Sequence, residues 1–203
     1  MKTLVIIGAG GHGKVVADIA RLNGYKHIVF LDDTQTGSCL EYPIVGKSDE
    51  IDKFVSTAEF FVAIGNATIR EKFIVKLQNL GANIVTLIHP SSVISKSVDI
   101  GMGTVVMAGA VINPCVKIGQ GVIINTSSSI DHDCLIADYC HISVGVRIAG
   151  TVSVGKATWA GIGASISNNV SICENCMIGA GSLVLKDITE SGTYFGTPAI
   201  RFR

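Results

Sequence analysis

The sequence predicts an α/β unit followed by a long parallel β-helix, and three observations carry this prediction. Large aliphatic residues recur at every sixth position from Ile94 to Val184. A glycine-rich turn at residues 8–13 separates an apolar run from a helix-like segment. The acidic pair Asp32-Asp33 follows a second apolar run, about 20 residues beyond the glycines. The repeat indicates stacked coils of short strands, and the other two features indicate a nucleotide-binding βαβ unit.

The N-terminal segment matches the start of a Rossmann-type fold. Residues 3–8 predict a buried parallel strand and residues 14–22 a helix, and Gly8-Ala9-Gly10-Gly11-His12-Gly13 between them has the spacing GxGxxG. Glycines in such a turn let the backbone approach a diphosphate, to which the first helical N–H groups donate. A second predicted strand, residues 27–31, ends at the Asp32-Asp33 pair. We therefore predict a nucleotide site here. The alternative is that the two acids are only solvated loop residues and that His12 is only a residue of the turn.

The rest of this unit completes a β-α-β-β-α-β pattern. Residues 59–64 predict a third strand that ends at Gly65-Asn66, and residues 84–88 predict a last strand. Thr68 and Glu71 form a capping box that predicts a helix running to about Leu80. We place the domain boundary between residues 1–86 and 87–203. The first unit is too small for a complete dinucleotide-binding domain, which argues against an NAD-dependent enzyme.

The repeat from Ile94 to Thr189 has two apolar columns. The first contains Ile or Val at every position except Ala160, and the second, four residues later, contains small side chains, including Cys134, Cys140 and Cys176. A period of six fits neither a helix nor a simple alternating strand over this length. We predict a parallel β-helix with both columns facing inward, and if three hexads form one coil, residues 18 apart are stacked.

Composition excludes several classes of function. The net charge is zero and no basic stripe is present, which argues against nucleic acid and acidic membranes as partners. No apolar run approaches the ~18 residues of a membrane span. The six cysteines do not resemble a disulfide framework, since three belong to the repeat. We expect structural thiols in a cytoplasmic protein and no metal.

The polar departures from the repeat cluster between Asn125 and Asp133, with His141 nine residues beyond His132. A single histidine on such a face is ordinarily a surface or packing residue. His132 lies between Asp131 and Asp133, and a neighbouring carboxylate raises the basicity of an imidazole and can fix its tautomer. This arrangement favours a general base at His132.

The two halves together resemble the bacterial left-handed β-helix acyltransferases that acetylate nucleotide-linked amino sugars or sialic acid. The resemblance covers nearly the whole chain, through the segments GAGGHGKV, FLDD, AIGN, INTSSSIDHD and GTPA and the hexads between them. It is nearest to the UDP-4-amino-sugar N-acetyltransferases. It implies acetyl-CoA as co-substrate, a UDP-amino-sugar as acceptor, and a homotrimer with the active site between subunits.

The resemblance also implies roles for individual residues. His132 would be the general base, with Asp133 raising its basicity and Asp131 as a competing orienting group. The Gly150 N–H, one coil beyond His132, would stabilise the oxyanion, and Asn125 would contact the acceptor amine. Residues implied to contact acetyl-CoA are His141, Gly150, Ile162 and Ala180. Residues implied to hold the UDP-sugar are Gly10, Gly11, His12, Asp32, Asp33 and Gly65.

Other functions remain to be weighed against N-acetylation. The acceptor could be a sialic acid hydroxyl, since spacing does not reveal the shape of the acceptor pocket. A non-catalytic nucleotide-sugar-binding protein would show the same glycine turn and the same repeat. A β-helix carbonic anhydrase is set aside because it needs three zinc-binding histidines, whereas the repeat holds only His132 and His141.

Overall fold

The computed structural model describes residues 3–202, and the chain divides into two compact units at the junction of Ile88 and His89. The first unit is α/β and the second consists of short parallel strands. No helix within the described residues has the length and apolar character needed to cross a bilayer.

The first unit contains a six-stranded sheet of order β3-β4-β2-β1-β5-β6. All neighbouring strands are parallel except β3 and β4, which form a hairpin. In chain order, the elements of the unit are β1 Thr3–Ile7, α1 Gly11–Leu22, β2 Ile28–Leu31, β3 Ser38–Cys39, β4 Tyr42–Gly46, a 3₁₀ helix Ser48–Lys53, β5 Ala58–Val62, α2 Ala67–Asn79, β6 Asn83–Ile84 and a short β7 Leu87–Ile88.

Two helix starts differ from the sequence prediction. α1 begins at Gly11, with Gly10 as its N-cap, so the glycine turn itself supplies the first helical turn. α2 is capped by Asn66, whose side-chain oxygen accepts a hydrogen bond from the Ile69 N–H at 3.0 Å. The predicted cap at Thr68 is wrong because Asn66 is already free to cap as β5 ends. The predicted loop after β2 instead contains β3, β4 and the 3₁₀ helix.

The second unit is a left-handed parallel β-helix with three faces. Each face is a parallel sheet formed by every third strand. Face 1 contains β10 Val105–Val106, β13 Ile123–Ile124, β16 His141–Ile142, β19 Trp159–Ala160 and β22 Cys176–Ile178. Face 2 contains β8 Val93–Ile94, β11 Val111–Ile112, β14 Ser129–Ile130, β17 Arg147–Ile148, β20 Ser165–Ile166 and β23 Leu183–Val184. Face 3 contains β9 Asp99–Ile100, β12 Lys117–Ile118, β15 Leu135–Ile136, β18 Ser153–Val154 and β21 Ser171–Ile172.

The register confirms a coil of three hexads. Ile130 pairs with Ile148, and Ile148 pairs with Ile166, so each residue of the column lies three hexads beyond the one it pairs with. Both apolar columns face inward as predicted, and Ile136 and Cys140, for example, have no exposed surface. Burying one such Ile contributes roughly 1.5–3 kcal/mol, so stacking of coils stabilises the fold.

One residue in each hexad turn adopts a left-handed backbone conformation. These residues recur every six positions, and from Gly121 onward the N–H of each bonds to a carbonyl of the preceding coil, as from Asp133 to Pro114 at 3.1 Å. That bond offsets the cost of a positive φ at a non-glycine residue. The set is Gly103, Gly109, Cys115, Gly121, Ser127, Asp133, Tyr139, Gly145, Thr151, Ala157, Gly163, Asn169, Asn175 and Gly181.

The β-helix ends in a small hairpin of β24 Gly192–Phe195 and β25 Ile200–Arg201. β24 continues face 1 by pairing with β22. Tyr194 and Ala199 of this segment lie against the last core residues of the repeat. The hairpin therefore closes part of the apolar end of the β-helix.

Candidate active site

His132 lies at the corner between face 2 and face 3, in the turn between β14 and β15. Its imidazole Nδ1 is 2.8 Å from a carboxylate oxygen of Asp133, and its side chain is 56% exposed. Since an ionised carboxylate only accepts, Nδ1 carries the proton and the Nε2 lone pair remains available. The left-handed backbone of Asp133, at φ 58°, belongs to the regular turn pattern of the repeat.

Asp131 supports the same histidine from the backbone side. One of its carboxylate oxygens accepts hydrogen bonds from the His132 N–H at 2.8 Å and from the Asn113 side-chain amide at 2.7 Å. Asn113 lies one coil before Asp131. In this geometry Asp133 orients the imidazole, whereas Asp131 fixes the main chain that carries it.

The two acids also set the protonation of the site. The pKa of His132 is raised, first by the hydrogen bond to Asp133 and then by the negative charge of Asp131, and burial opposes this shift. The pKa of Asp131 is lowered, first by the hydrogen bond from Asn113 and then by that from the His132 N–H. A histidine in this environment is a stronger base than an isolated imidazole.

Gly150 lies directly beyond His132 on the next coil. The His132 carbonyl accepts a hydrogen bond from Thr151 N–H at 2.9 Å, which joins the two turns. A methyl group on Gly150 would lie 2.6 Å from His132 Nε2, closer than atoms can approach. Among the described residues, the Gly150 N–H has no hydrogen-bond acceptor. Gly150 therefore provides both space for the imidazole and a free donor beside Nε2.

His141 lies on face 1, on the far side of its coil from His132. Its ring stacks on Trp159, with centroids 5.0 Å apart and planes 16° apart. The Asn125 amide lies 3.2 Å from His141 Nε2, and the Trp159 indole N–H donates to Ser143 at 2.7 Å. Asn125 is thus placed with His141 and not with His132.

Ile162 and Ala180 lie at another corner, between face 1 and face 2. They occupy successive coils, and the Gly181 N–H donates to the Ile162 carbonyl at 2.8 Å. The Ile162 side chain is 62% exposed. Within one chain, the residues predicted to contact acetyl-CoA therefore occupy two different corners and, for His141, face 1 of the β-helix.

In the first unit, the glycines of the turn have distinct structural roles. Gly8 has φ 103°, and a Cβ on Gly13 would lie only 2.1 Å from the Gly8 carbonyl oxygen. These two positions require glycine for the turn and for close packing of α1 on β1. Gly10 and Gly11 have open space where a Cβ would be. The turn therefore leaves room for a ligand at the N-terminus of α1.

Asp32 and Asp33 both line a cavity of about 180 Å³ at the carboxyl ends of β1 and β2. Asp32 accepts four hydrogen bonds, from the N–H groups of Ala9, Thr34 and Gln35 and from the Thr34 hydroxyl. Burial opposes its ionisation, but these bonds outweigh burial and lower the pKa of Asp32. Asp33 accepts two, both from Ser48.

His12, in the first turn of α1, has an enclosed Nε2 with no partner among the described residues. Burial, and then the positive charge of Arg70, lower the pKa of His12 to about 4. Arg70 is itself buried and donates to the carbonyls of Ile64 and Gly65 at 2.9 and 2.8 Å. It holds the turn that contains Gly65, the last of the residues predicted to contact the nucleotide.

Sequence reasoning missed three residues of these sites. Asn113 lies one coil before Asp131 along the chain, so the coil length alone would have placed the two side by side. Trp159 lies one coil after His141, and the same reasoning would have found it. Arg70 gave no such signal, because a basic residue in a helix is ordinarily exposed.

Several known proteins similar to this chain are named as acetyltransferases. The model of the PglD N-terminal domain matches residues 3–77. The UDP-N-acetylbacillosamine N-acetyltransferase of Bacillus subtilis is 37% identical over 113 residues, or 53% of this chain and 52% of that protein. The chain thus matches about half the length of this relative.

Two solved structures match over nearly their full length. The acetyltransferase domain of PglB from Neisseria gonorrhoeae, in complex with acetyl coenzyme A, is 37% identical with a TM-score of 0.97, covering 99% of both chains. PerB from Caulobacter crescentus, in complex with CoA and GDP-perosamine, is 36% identical with a TM-score of 0.96, covering 100% of this chain and 98% of that one.

Proposed function

Since the chain belongs to the hexapeptide-repeat sugar N-acetyltransferases, we propose that it transfers the acetyl group of acetyl-CoA to the 4-amino group of a UDP-linked amino-dideoxy sugar. The observation that carries the proposal is the His132 site: an Asp133-bonded imidazole whose Nε2 lies against Gly150. The UDP-linked and GDP-linked sugars in the names of its relatives support the class of acceptor.

The reaction needs one base and one oxyanion donor. His132 Nε2 removes a proton from the acceptor amine as its nitrogen bonds to the thioester carbonyl carbon. The Gly150 N–H donates to the oxygen that becomes negative. The C–S bond then breaks, the amide carbonyl re-forms, and the CoA sulfur leaves with the electron pair and takes the proton from His132. Asp133 stabilises the imidazolium during this exchange.

The first unit supplies the nucleotide site. The N–H groups at Gly10, Gly11 and the start of α1 suit the diphosphate, and the adjacent cavity suits the nucleoside. Asp32 already accepts four hydrogen bonds within the protein, three of them at one carboxylate oxygen. Asp33 has spare capacity. We therefore assign to Asp33 the contact with the ribose or uracil, and to Asp32 the shape of the turn.

A homotrimer would complete the donor site. His132 and Gly150 lie at one corner of the β-helix, whereas Ile162 and Ala180 lie at another, so the predicted acetyl-CoA contacts are divided between two corners of one chain. In a closed ring of three, the first corner of each subunit can face the second corner of the next. His141 and Asn125 lie on the adjoining face 1.

A complementation experiment tests this shared site. His132→Ala and Ile162→Asp should each lower activity by at least about 100-fold when expressed alone. In mixed assemblies, about a quarter of the interfaces would pair two intact corners, so co-expression should restore roughly a quarter of the wild-type rate. Failure of mixed, assembled protein to regain any activity would contradict a site shared between subunits.

The reaction itself is tested by thiol release from acetyl-CoA. Wild type is offered UDP- and GDP-linked 4-amino-4,6-dideoxy sugars and free and CMP-linked sialic acid. We expect turnover with the UDP-amino sugar. His132→Ala should lower kcat by about 10²–10⁴-fold while UDP-sugar affinity is retained. Turnover only with sialic acid would indicate O-acetylation, and nucleotide-sugar binding without any turnover would indicate a non-catalytic binding protein.

A further inference from the structure

Two cysteines near the end of the repeat form a pair that the proposed reaction does not use. Cys173 and Cys176 lie on either side of the turn between β21 and β22, at the third corner of the β-helix, where face 3 meets face 1. Both are free thiols, and their sulfur atoms are 3.4 Å apart. A disulfide bond is about 2.0 Å long, so the two sulfurs need to approach by only about 1.4 Å to form one.

The backbone of the turn already holds the two cysteines side by side. The hydroxyl of Thr158, on the preceding coil, donates to the Cys173 carbonyl at 3.0 Å and accepts from the Cys176 N–H at 3.1 Å. Asn175 has the left-handed φ of 56° that the repeat requires, and its N–H donates to the Lys156 carbonyl at 2.9 Å. These bonds fix both ends of the turn, so the sulfurs stay close together while both side chains are thiols.

The two thiols differ in their surroundings, and the difference gives each a separate role. Cys173 is half-buried, whereas Cys176 belongs to the inward column and is buried. Burial first, and then the hydrogen bond with Cys173, raise the pKa of Cys176 to about 12. Because the nucleophile is the thiolate and attack requires access, Cys173 is the thiol that meets an oxidant first. Cys176 then lies beside it as the resolving thiol.

Other cysteines of the inward column show how a packing thiol is held. The Sγ atoms of Cys134 and Cys140 donate to the carbonyls of Ala149 and Gly155, at 3.2 and 3.1 Å. The pair at the third corner is different because its sulfurs face each other. In the part of the chain that the structure describes, no third His, Cys, Asp or Glu joins this pair to form a metal site. Thiol–disulfide exchange is therefore the chemistry that the pair suits.

We propose that Cys173 and Cys176 are a site of reversible oxidation, at which a small disulfide such as glutathione disulfide converts the two thiols into one intramolecular disulfide. The Cys173 thiolate attacks one sulfur of glutathione disulfide, whose S–S bond breaks. One glutathione leaves as a thiolate and takes up the proton that Cys173 lost. The Cys176 sulfur then attacks the Cys173 sulfur of the mixed disulfide, and the second glutathione leaves with the electron pair and takes up the Cys176 proton. The two cysteines are thus oxidised and one glutathione disulfide is reduced to two glutathione thiols, and an excess of these thiols reverses the reaction.

The disulfide braces the attachment of the C-terminal segment. The Cys173 N–H donates to the Ile188 carbonyl at 2.8 Å, and Cys176 pairs with Gly192 of β24. A crosslink across the turn restricts the local opening that breaks these contacts. The pair lies at a different corner from His132, so the site does not depend on the proposed function.

Peptide mapping of the full-length protein after equilibration with glutathione disulfide tests the site. The tryptic peptide of residues 157–186 contains Cys173 and Cys176 and no other cysteine. In wild type this peptide should lose two hydrogens and resist alkylation, in at least about tenfold excess over peptide that carries glutathione. Cleavage after Glu174 should leave its two halves joined, and dithiothreitol should restore both thiols. A stable glutathione adduct at Cys173, or two unmodified thiols under conditions that modify the exposed Cys115, would overturn the proposal.

Single variants separate the attacking thiol from the resolving one. Cys176→Ser should accumulate the mixed disulfide of Cys173 with glutathione, and Cys173→Ser should leave Cys176 unmodified. Serine suits the inward column, since Ser128 and Ser182 are buried there. The matched control is Cys140→Ser, in which the Cys173–Cys176 disulfide should form as in wild type. Modification of Cys176 in the Cys173→Ser variant would contradict the assigned order of attack.

Native-state hydrogen exchange tests the bracing of the C-terminal segment. The Cys173 amide, which bonds to Ile188, should exchange about fivefold more slowly in oxidised than in reduced wild type. The amide of Ile136, two coils earlier on the same face, is the reference and should exchange at the same rate in both forms. Equal rates at Cys173 in the two forms would show that the disulfide does not brace this segment.

Discussion

The two units each hold a histidine beside charged residues, yet the environments of these histidines are opposite. In the first unit, His12 has an enclosed Nε2 near the cation Arg70, and its pKa falls to about 4. In the β-helix, His132 is exposed between two carboxylates, and its pKa is raised. His12 is therefore neutral throughout the physiological range, whereas His132 can exchange a proton near neutral pH.

The difference follows from the two architectures. A βαβ turn packs its first helical residues against the sheet, so a side chain there loses contact with water. A β-helix directs its large apolar residues inward and leaves the side chains of its corners outside. The β-helix can thus display a base on a rigid edge, whereas the α/β unit keeps His12 enclosed and neutral. The predictions below test this contrast, starting with the largest effect.

Of the changes considered below, Gly150→Ala should disturb the position of the His132 side chain most. The new methyl group would overlap the position of Nε2 and force the imidazole away from Asp133. We expect a fall in kcat of about 100-fold, with UDP-sugar affinity preserved. A double-mutant cycle provides the control: in a His132→Ala background the same change should have little further effect. A large additional loss in that background would show that the added methyl group disturbs the oxyanion site or the bound substrate and does not act through the ring alone.

Acid should destabilise the first unit selectively. Between pH 6.5 and 4 the unfolded chain binds a proton at residue 12 that the folded unit excludes, so stability falls as the pH is lowered through this window. The loss from His12 should reach about 2 kcal/mol at pH 5. Native-state hydrogen exchange of the Thr3–Ile7 amides measures it.

The control for acid destabilisation is His12→Gln, which should lose less stability over the same pH range because it removes the titrating group. The β-helix amides of Ile136 and Ile142 serve as an internal reference. The raised pKa of His132 acts in the opposite direction, since its contribution is present at low pH and lost as the pH rises. Equal acid sensitivity of wild type and His12→Gln would disprove the assignment to His12.

The sequence was sufficient to predict the features that follow from its six-residue period. It was not sufficient where one tertiary contact determines the environment of a residue. The period of six predicted both inward columns and the coil of three hexads, because each side of a coil repeats the same geometry. It also placed Gly150 beside His132. The sequence grouped Asn125 with His132 in one polar cluster, whereas the fold turns the Asn125 amide towards His141. The burial of Arg70 and the hydrogen bond from the Ala9 N–H to Asp32 depend on tertiary contacts that no local pattern encodes.

Asp133→Asn tests how the negative charge of residue 133 affects the basicity of His132. The hydrogen bond to Asp133 is the largest cause of the raised pKa, so its loss should move the acid limb of kcat/KM towards lower pH. We expect kcat to fall roughly tenfold. Asn tolerates the left-handed backbone of this position, which keeps the turn intact. The pH–rate profile from 5 to 9 measures both effects.

The matched control is Asp138→Asn. Asp138 is a carboxylate on the third corner that accepts a hydrogen bond from the Gln120 N–H at 2.9 Å, far from the histidine on the same coil. Its profile should overlay that of wild type. If the acid limb of Asp133→Asn were not shifted, Asp131 and not Asp133 would be the residue that raises the pKa of His132.

Asn113→Ala should have the smallest effect, because Asn113 acts only through Asp131. Without its amide, the Asp131 oxygen would keep one hydrogen bond of two, and the pKa of Asp131 would rise since its largest lowering influence is gone. The carboxylate would stay ionised at neutral pH but would hold the His132 main chain less firmly. We expect kcat to fall about threefold with KM for both substrates unchanged. A change in KM without a change in kcat would instead place Asn113 in direct contact with a substrate, and the exposed His132 corner would then extend one coil further towards the N-terminus.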